Sequence, residues 1–129
     1  MSGPLYTLEQ AQALLPEARR QVERAAELVA ELQRLGEQLR RGTAPEAAAA
    51  DVAALQAAVE GTFHWFESQG VQIKSLEPAL LDFPARAIRD GRPLEVLLCW
   101  RDDEQEIAYY HPPEGGYQLR EPVAMLDEV

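Results

Sequence analysis

The sequence has no second cysteine, no long apolar run, no excess of basic residues and no glycine-rich phosphate motif, and each absence removes a class of function. The lone Cys99 cannot close an intrachain disulfide, so no covalent staple holds the fold. The apolar runs are short and bounded by charges, well below the roughly 20 residues that a membrane-spanning helix needs. No membrane-spanning segment is expected. The start Met1-Ser2-Gly3-Pro4 has neither the basic region nor the apolar segment of a secretory signal. With the single thiol, that leads to the expectation of a reducing, cytoplasmic setting.

Basic residues are scarce where acidic ones are not. The chain carries 22 acids against 12 bases, a formal net charge of -10. Residues 1–43 are balanced, residues 44–70 carry four acids and no base, and residues 71–129 carry twelve acids and six bases. Nucleic-acid binding draws on clustered Lys and Arg to neutralise phosphates, and the surplus here has the opposite sign. The pairs Arg19-Arg20 and Arg40-Arg41 sit among glutamates and read as a solvated helix face. No nucleic-acid partner is expected.

What is present is periodicity. The 129 residues fit one domain with a helical hairpin at about 8–69, a β-meander at about 71–120 and an acidic tail at 121–129. Thr7 followed by Gln10 is a capping-box pattern that starts a helix near Leu8. Pro16 lacks an amide hydrogen and predicts an interruption, with a new helix from Pro16 to about Arg41. Along it Val22, Ala25, Val29, Leu32, Gly36 and Leu39 recur in steps of three and four. Gly42 suits a left-handed helix cap, and a second helix follows from Glu46 to Gln69 on the stripe Val52, Leu55, Val59, Thr62 and Phe66, ending at Gly70. The short connection makes the helices antiparallel neighbours.

Beyond Gly70 the period changes from helical to alternating. Val71-Gln72-Ile73-Lys74 reads as a half-buried strand, and Leu80-Leu81-Asp82-Phe83 as an apolar run stopped by Pro84. Arg89-Asp90-Gly91-Arg92-Pro93 is turn chemistry. Leu94 to Trp100 is a strand joined to Ile107–His111 by the polar turn Arg101–Glu106, with Arg101 and Glu106 facing each other as a cross-strand ion pair. Tyr117 to Arg120 supplies a last short strand. The fold class is α+β, a long antiparallel helical hairpin followed by a small antiparallel sheet.

Four stretches carry a family resemblance: Tyr6-Thr7-Leu8-Glu9 leading to Leu14-Leu15-Pro16; Leu81-Asp82-Phe83-Pro84-Ala85; Leu98-Cys99-Trp100-Arg101; and Ile107-Ala108-Tyr109-Tyr110-His111 before Gly116-Tyr117. Occurring in this order over nearly the whole chain, they resemble the bacterial family called domain of unknown function 2203. The resemblance implies the domain extent and a bacterial cytoplasmic setting, and it transfers no activity.

The candidate metal ligands are His111, His64 and Asp82, because imidazole and carboxylate suit zinc, iron or manganese. Glu104 cannot join His111 if Arg101–Glu106 is the turn, since the two then lie roughly 20 Å apart along the ribbon at about 3.3 Å per residue. The competing explanation of His111 is a hydrogen bond at a sheet edge. Cys99, between Leu98 and Trp100, reads as a core thiol rather than a nucleophile. No G-x-S-x-G elbow or C-x-x-C pair is present, so no catalytic constellation stands out.

The candidate interaction residues are Val29 and Leu55 on the hairpin, with Trp100 and Tyr110 in an aromatic region of the sheet. The hairpin is too long for a sheet of fewer than 60 residues to cover, which predicts a homodimer through the hairpins or another protein partner. The leading expectation is a non-catalytic, self-associating interaction or scaffold module without a cofactor. The alternative is a divalent-metal binder or metal-dependent enzyme with its site near His111.

Overall fold

Thr7 opens the first helix as its side chain accepts from the Gln10 amide while the Gln10 side chain accepts from the Thr7 amide. The computed structural model describes residues 4–129; the segment Met1–Gly3, used above for the compartment expectation, lies outside the described residues. This helix, α1 (Leu8–Arg41), runs without a break through Pro16, so the predicted interruption is corrected. The missing amide at Pro16 costs the helix the bond to the Gln12 carbonyl. Burial of Ala11, Leu15, Ala18 and Val22 against the sheet holds the two sides of Pro16 in one helix. Gly42 adopts φ 74° as the left-handed cap, with its amide turned back to the last helical carbonyls.

The second helix, α2 (Ala48–Gln69), begins two residues later than expected, after a turn at Pro45 whose carbonyl accepts from the Ala48 amide. It stops at Gly70, φ 73°. Thr62 and Phe66 of its predicted stripe are buried and Val52, Leu55 and Val59 are partly so. On α1 the stripe is right as far as Ala25 and then shifts: Leu28 and Leu35 are buried, whereas Leu39 is 48% exposed. The α1 helix of 34 residues is roughly 51 Å long at about 1.5 Å per residue. Only its first half meets the sheet, so the far end of the hairpin packs on itself.

The sheet has five antiparallel strands in sequential order: β1 (Gln72–Leu76), β2 (Ala79–Arg89), β3 (Arg92–Arg101), β4 (Tyr109–His111) and β5 (Glu121–Pro122). Asp90 and Gly91, both at positive φ (54° and 75°), make the two-residue turn that joins β2 to β3. The strand β2 continues past Pro84, which was expected to stop it. The Pro84 carbonyl points away from β3 and accepts from the Tyr6 amide at 2.7 Å. Both backbone groups of a strand residue face the same side, so the absent amide hydrogen removes no bond to β3.

The last strand is Glu121–Pro122 rather than Tyr117–Arg120; Tyr117–Leu119 forms a turn of 3-10 helix instead. The acidic end of the chain is no free tail, because Glu128 bridges to Ile88 and Leu126 is buried.

Alternation gives the sheet two unlike faces. Leu81, Phe83, Ala85 and Ala87 of β2, Val96, Leu98 and Trp100 of β3 and Tyr110 of β4 form the core beneath α1 and α2. Phe83, Leu98 and Leu81 are fully buried, each contributing about 1.5–3 kcal/mol by removal from water. The neighbouring positions Asp82, Pro84, Leu97, Cys99 and His111 point to the opposite face, and they too are buried.

Candidate metal centre

The register of three strands converges on that second face. Asp82 on β2 stands directly opposite Cys99 on β3, and His111 on β4 stands opposite Leu97, one same-face position along from Cys99. Asp82 and His111 therefore lie two strand spacings apart across the sheet, about 9–10 Å, and two residues out of step along it. The small Cys99 side chain lets the imidazole lean across β3, placing His111 Nε2 3.0 Å from Asp82 Oδ2. Asp82 is 1%, Cys99 0% and His111 2% exposed. Their ligand atoms, one carboxylate oxygen, Sγ and one ring nitrogen, all lie within 4.8 Å of one another.

The protons on His111 follow from its partners. Nδ1 lies 2.9 Å from the Pro112 carbonyl, which can only accept, so Nδ1 carries hydrogen. Nε2 then faces a carboxylate oxygen, and two lone pairs cannot meet without a proton or a cation between them. Metal-bound histidines are held in the same way, the far nitrogen donating to a carbonyl while the near one binds. Among the described residues, the second carboxylate oxygen, Asp82 Oδ1, is buried and meets no hydrogen-bond partner. Such an orphan is uncommon in a protein interior.

Nucleophilic chemistry is poorly served by the cluster. Burial pushes the Cys99 thiol up to about 12, the Asp82 carboxylate pushes it the same way, and the Arg120 guanidinium opposes them. His111 is already engaged at both nitrogens and offers no free lone pair to deprotonate the thiol. As a donor set the trio is better matched: thiolate, imidazole and carboxylate are the three side-chain types that bind zinc, a borderline-soft ion.

Of the residues expected at a metal site, the structure brings Asp82 and His111 together and leaves His64 apart. His64 is exposed on α2, which packs on the other side of the sheet. Glu104 is also elsewhere, accepting from Arg120 and from the Arg101 amide. Arg101 pairs with Asp103 and donates to the Tyr117 hydroxyl, not to Glu106. Trp100 and Tyr110, expected on an interaction surface, are buried in the core at 1% and 2% exposure. Val29 and Leu55 lie on the hairpin and are half-buried. Cys99, read from the sequence as a core thiol, is the third member of the buried cluster.

These features define an α+β protein with a buried Asp–Cys–His cluster on the sheet face away from its helices. The family model described as an uncharacterized conserved protein, DUF2203, matches residues 4–123, and the chain belongs to that family. The match bears out the resemblance drawn from the sequence motifs and brings no activity with it. No curated protein and no solved structure gave a match. Among the described residues, no helix is long and apolar enough to cross a membrane.

Proposed function

We propose that this protein binds a divalent metal ion of the zinc class through His111 Nε2, Asp82 and Cys99 Sγ. The observation that carries the reading is the meeting of three buried donor atoms within 4.8 Å beside the unpartnered Asp82 Oδ1. An ion at this point takes the place of the proton between His111 and Asp82 and of the thiol proton, and it supplies the missing partner of Oδ1. Two anionic ligands against a dication leave the buried centre neutral, which is the condition for keeping charge out of water. With every ligand nearly inaccessible, the ion holds three strands together rather than meeting a substrate. A reducing cytoplasm would keep the Cys99 thiol free for it.

The test is native mass spectrometry of protein purified without chelator and reloaded with zinc, followed by cobalt substitution. One zinc per chain is expected, lost in His111→Ala. The cobalt form is expected to show a thiolate charge-transfer band that disappears in Cys99→Ser. Absence of a bound ion after reloading sinks the proposal, and so does a cobalt spectrum indifferent to Cys99.

A second reading concerns the hairpin, because its far half packs only on itself and leaves Leu39 48% exposed and Val29, Leu32 and Leu55 half-buried. We infer that a second copy of the chain covers this end, two hairpins forming a four-helix bundle. Val29→Asp and Leu55→Asp are expected to convert a dimer to a monomer in sedimentation equilibrium. A wild-type monomer at high protein concentration would end this reading.

A further inference from the structure

Neither α1 nor α2 lies over the face that carries Asp82, Cys99 and His111, yet all three are sealed from water. The chain between β4 and β5, Pro112–Arg120, reaches this face and is tied to the cluster at both ends. At its start the Pro112 carbonyl accepts from His111 Nδ1. At its end Arg120 Nη2 donates to the Cys99 carbonyl at 3.3 Å. The Arg120 guanidinium lies 4.3 Å from the ring centre of Tyr109, the cross-strand neighbour of Cys99, and 4.5 Å from that of Tyr117. It also pairs with Glu104, both side chains being largely buried.

Between these ties the segment is weakly held. Tyr117 is 39% and Leu119 56% exposed, and its one regular feature is a three-residue 3-10 turn. Arg101 donates to the Tyr117 hydroxyl in its middle. A segment with few buried apolar contacts opens at lower free energy than the sheet beneath it.

We propose that Pro112–Arg120 is a strap that gates exchange of the metal ion, with Arg120 as its latch. The inference rests on the metal-binding reading and adds its regulation: the ion enters and leaves when Arg120 comes away from Glu104, Tyr109 and the Cys99 carbonyl. Lifting the strap also removes the Pro112 carbonyl from His111, so opening loosens a ligand at the same moment that it exposes the centre. Partners that orient ligands from outside the coordination shell commonly alter metal binding by about 10–100-fold when removed.

The experiment follows zinc release from the loaded protein to a chromogenic chelator in wild type, Arg120→Ala and the milder Glu104→Gln, with folding checked by circular dichroism. Cys99 is titrated in parallel, in metal-free protein, with 4,4′-dithiodipyridine. Expected are one zinc per chain in all three proteins, release at least about tenfold faster in Arg120→Ala, an intermediate rate in Glu104→Gln, and the same order for thiol reaction. Equal release rates from fully loaded proteins overturn the latch and leave the metal site standing. A wild type that takes up no zinc overturns both, and the thiol rates then report only whether the strap opens.

Discussion

His111 on β4 reaches across β3 to Asp82 on β2, Nε2 to Oδ2 3.0 Å, and the pair is almost wholly withdrawn from water. Their contact joins strands that do not touch each other in the sheet order. Removing one member leaves the other polar group buried and alone, which costs about 3–5 kcal/mol where the pair is ionised. His111→Ala is therefore expected to lower the metal-free unfolding free energy by several kcal/mol in urea titration. Asp82→Asn with His111→Gln, replacing both partners by neutral hydrogen-bonding groups, is expected to lose less than the sum of the single changes. Strict additivity would show that the two residues act independently.

Cys99 gives the fold a dependence on alkaline pH. Its thiol is raised from an ordinary 9.0 to about 12 in the folded chain, chiefly by burial and next by Asp82. Between those values the unfolded chain releases a proton that the folded chain keeps, so the free energy of unfolding falls as pH rises. The stabilising contribution is fully present below about 9 and is lost as pH climbs towards about 12. Urea midpoints of the metal-free protein, measured from neutral pH upward, are expected to fall in this window. Cys99→Ala should flatten the curve, leaving the smaller slope from Tyr6, whose hydroxyl is raised by burial in the same direction.

Gly70 ends α2 at φ 73°, and a Cβ placed there would lie 2.7 Å from the Pro4 ring. Gly70→Ala meets both a left-handed backbone, which disfavours any L side chain by about 1–2 kcal/mol, and a ring that must shift. Gly42 has a similar φ of 74° with open space around it. Gly42→Ala is expected to show the backbone cost alone, so thermal unfolding should rank Gly70→Ala below Gly42→Ala. Equal melting temperatures would mean that the Pro4 contact carries no weight.

Local chemistry made much of this fold legible. The Thr7–Gln10 capping box, Gly42, Gly70 and the Asp90–Gly91 turn each mark their boundary with one or two residues, and all stand where the sequence puts them. Pro16 and Pro84 misled because a proline's cost depends on what the lost hydrogen would have met. Burial of the flanking turns of α1 outweighs it at Pro16, and at Pro84 the missing hydrogen faces away from β3. Asp82 and His111 could be singled out by residue type. Cys99 required register: counting seven residues back from Arg89 and seven on from Arg92, the pair closing the turn, sets Asp82 opposite Cys99. Without that count a cysteine in an apolar run looks like core.

Gln12 shows how a helix can stand in for a strand. Its side-chain amide donates to the Ile107 carbonyl and accepts from the Ile107 amide, both at 2.9 Å, closing the backbone of a residue just outside β4. Ile107 is 1% exposed, so water cannot take over either bond if the amide is removed. An unsatisfied buried donor or acceptor costs about 1–3 kcal/mol. Gln12→Leu, which keeps the bulk and loses both bonds, is expected to destabilise by at least that amount. Gln12→Glu keeps the acceptor and sets a second oxygen against the Ile107 carbonyl, so it should be no better. Hydrogen exchange at the Ile107 amide is the direct measurement: its protection should drop in Gln12→Leu while Leu98, deep in β3, keeps its own. If Ile107 stays as protected as in wild type, its amide has another partner and α1 does not complete the sheet in this way.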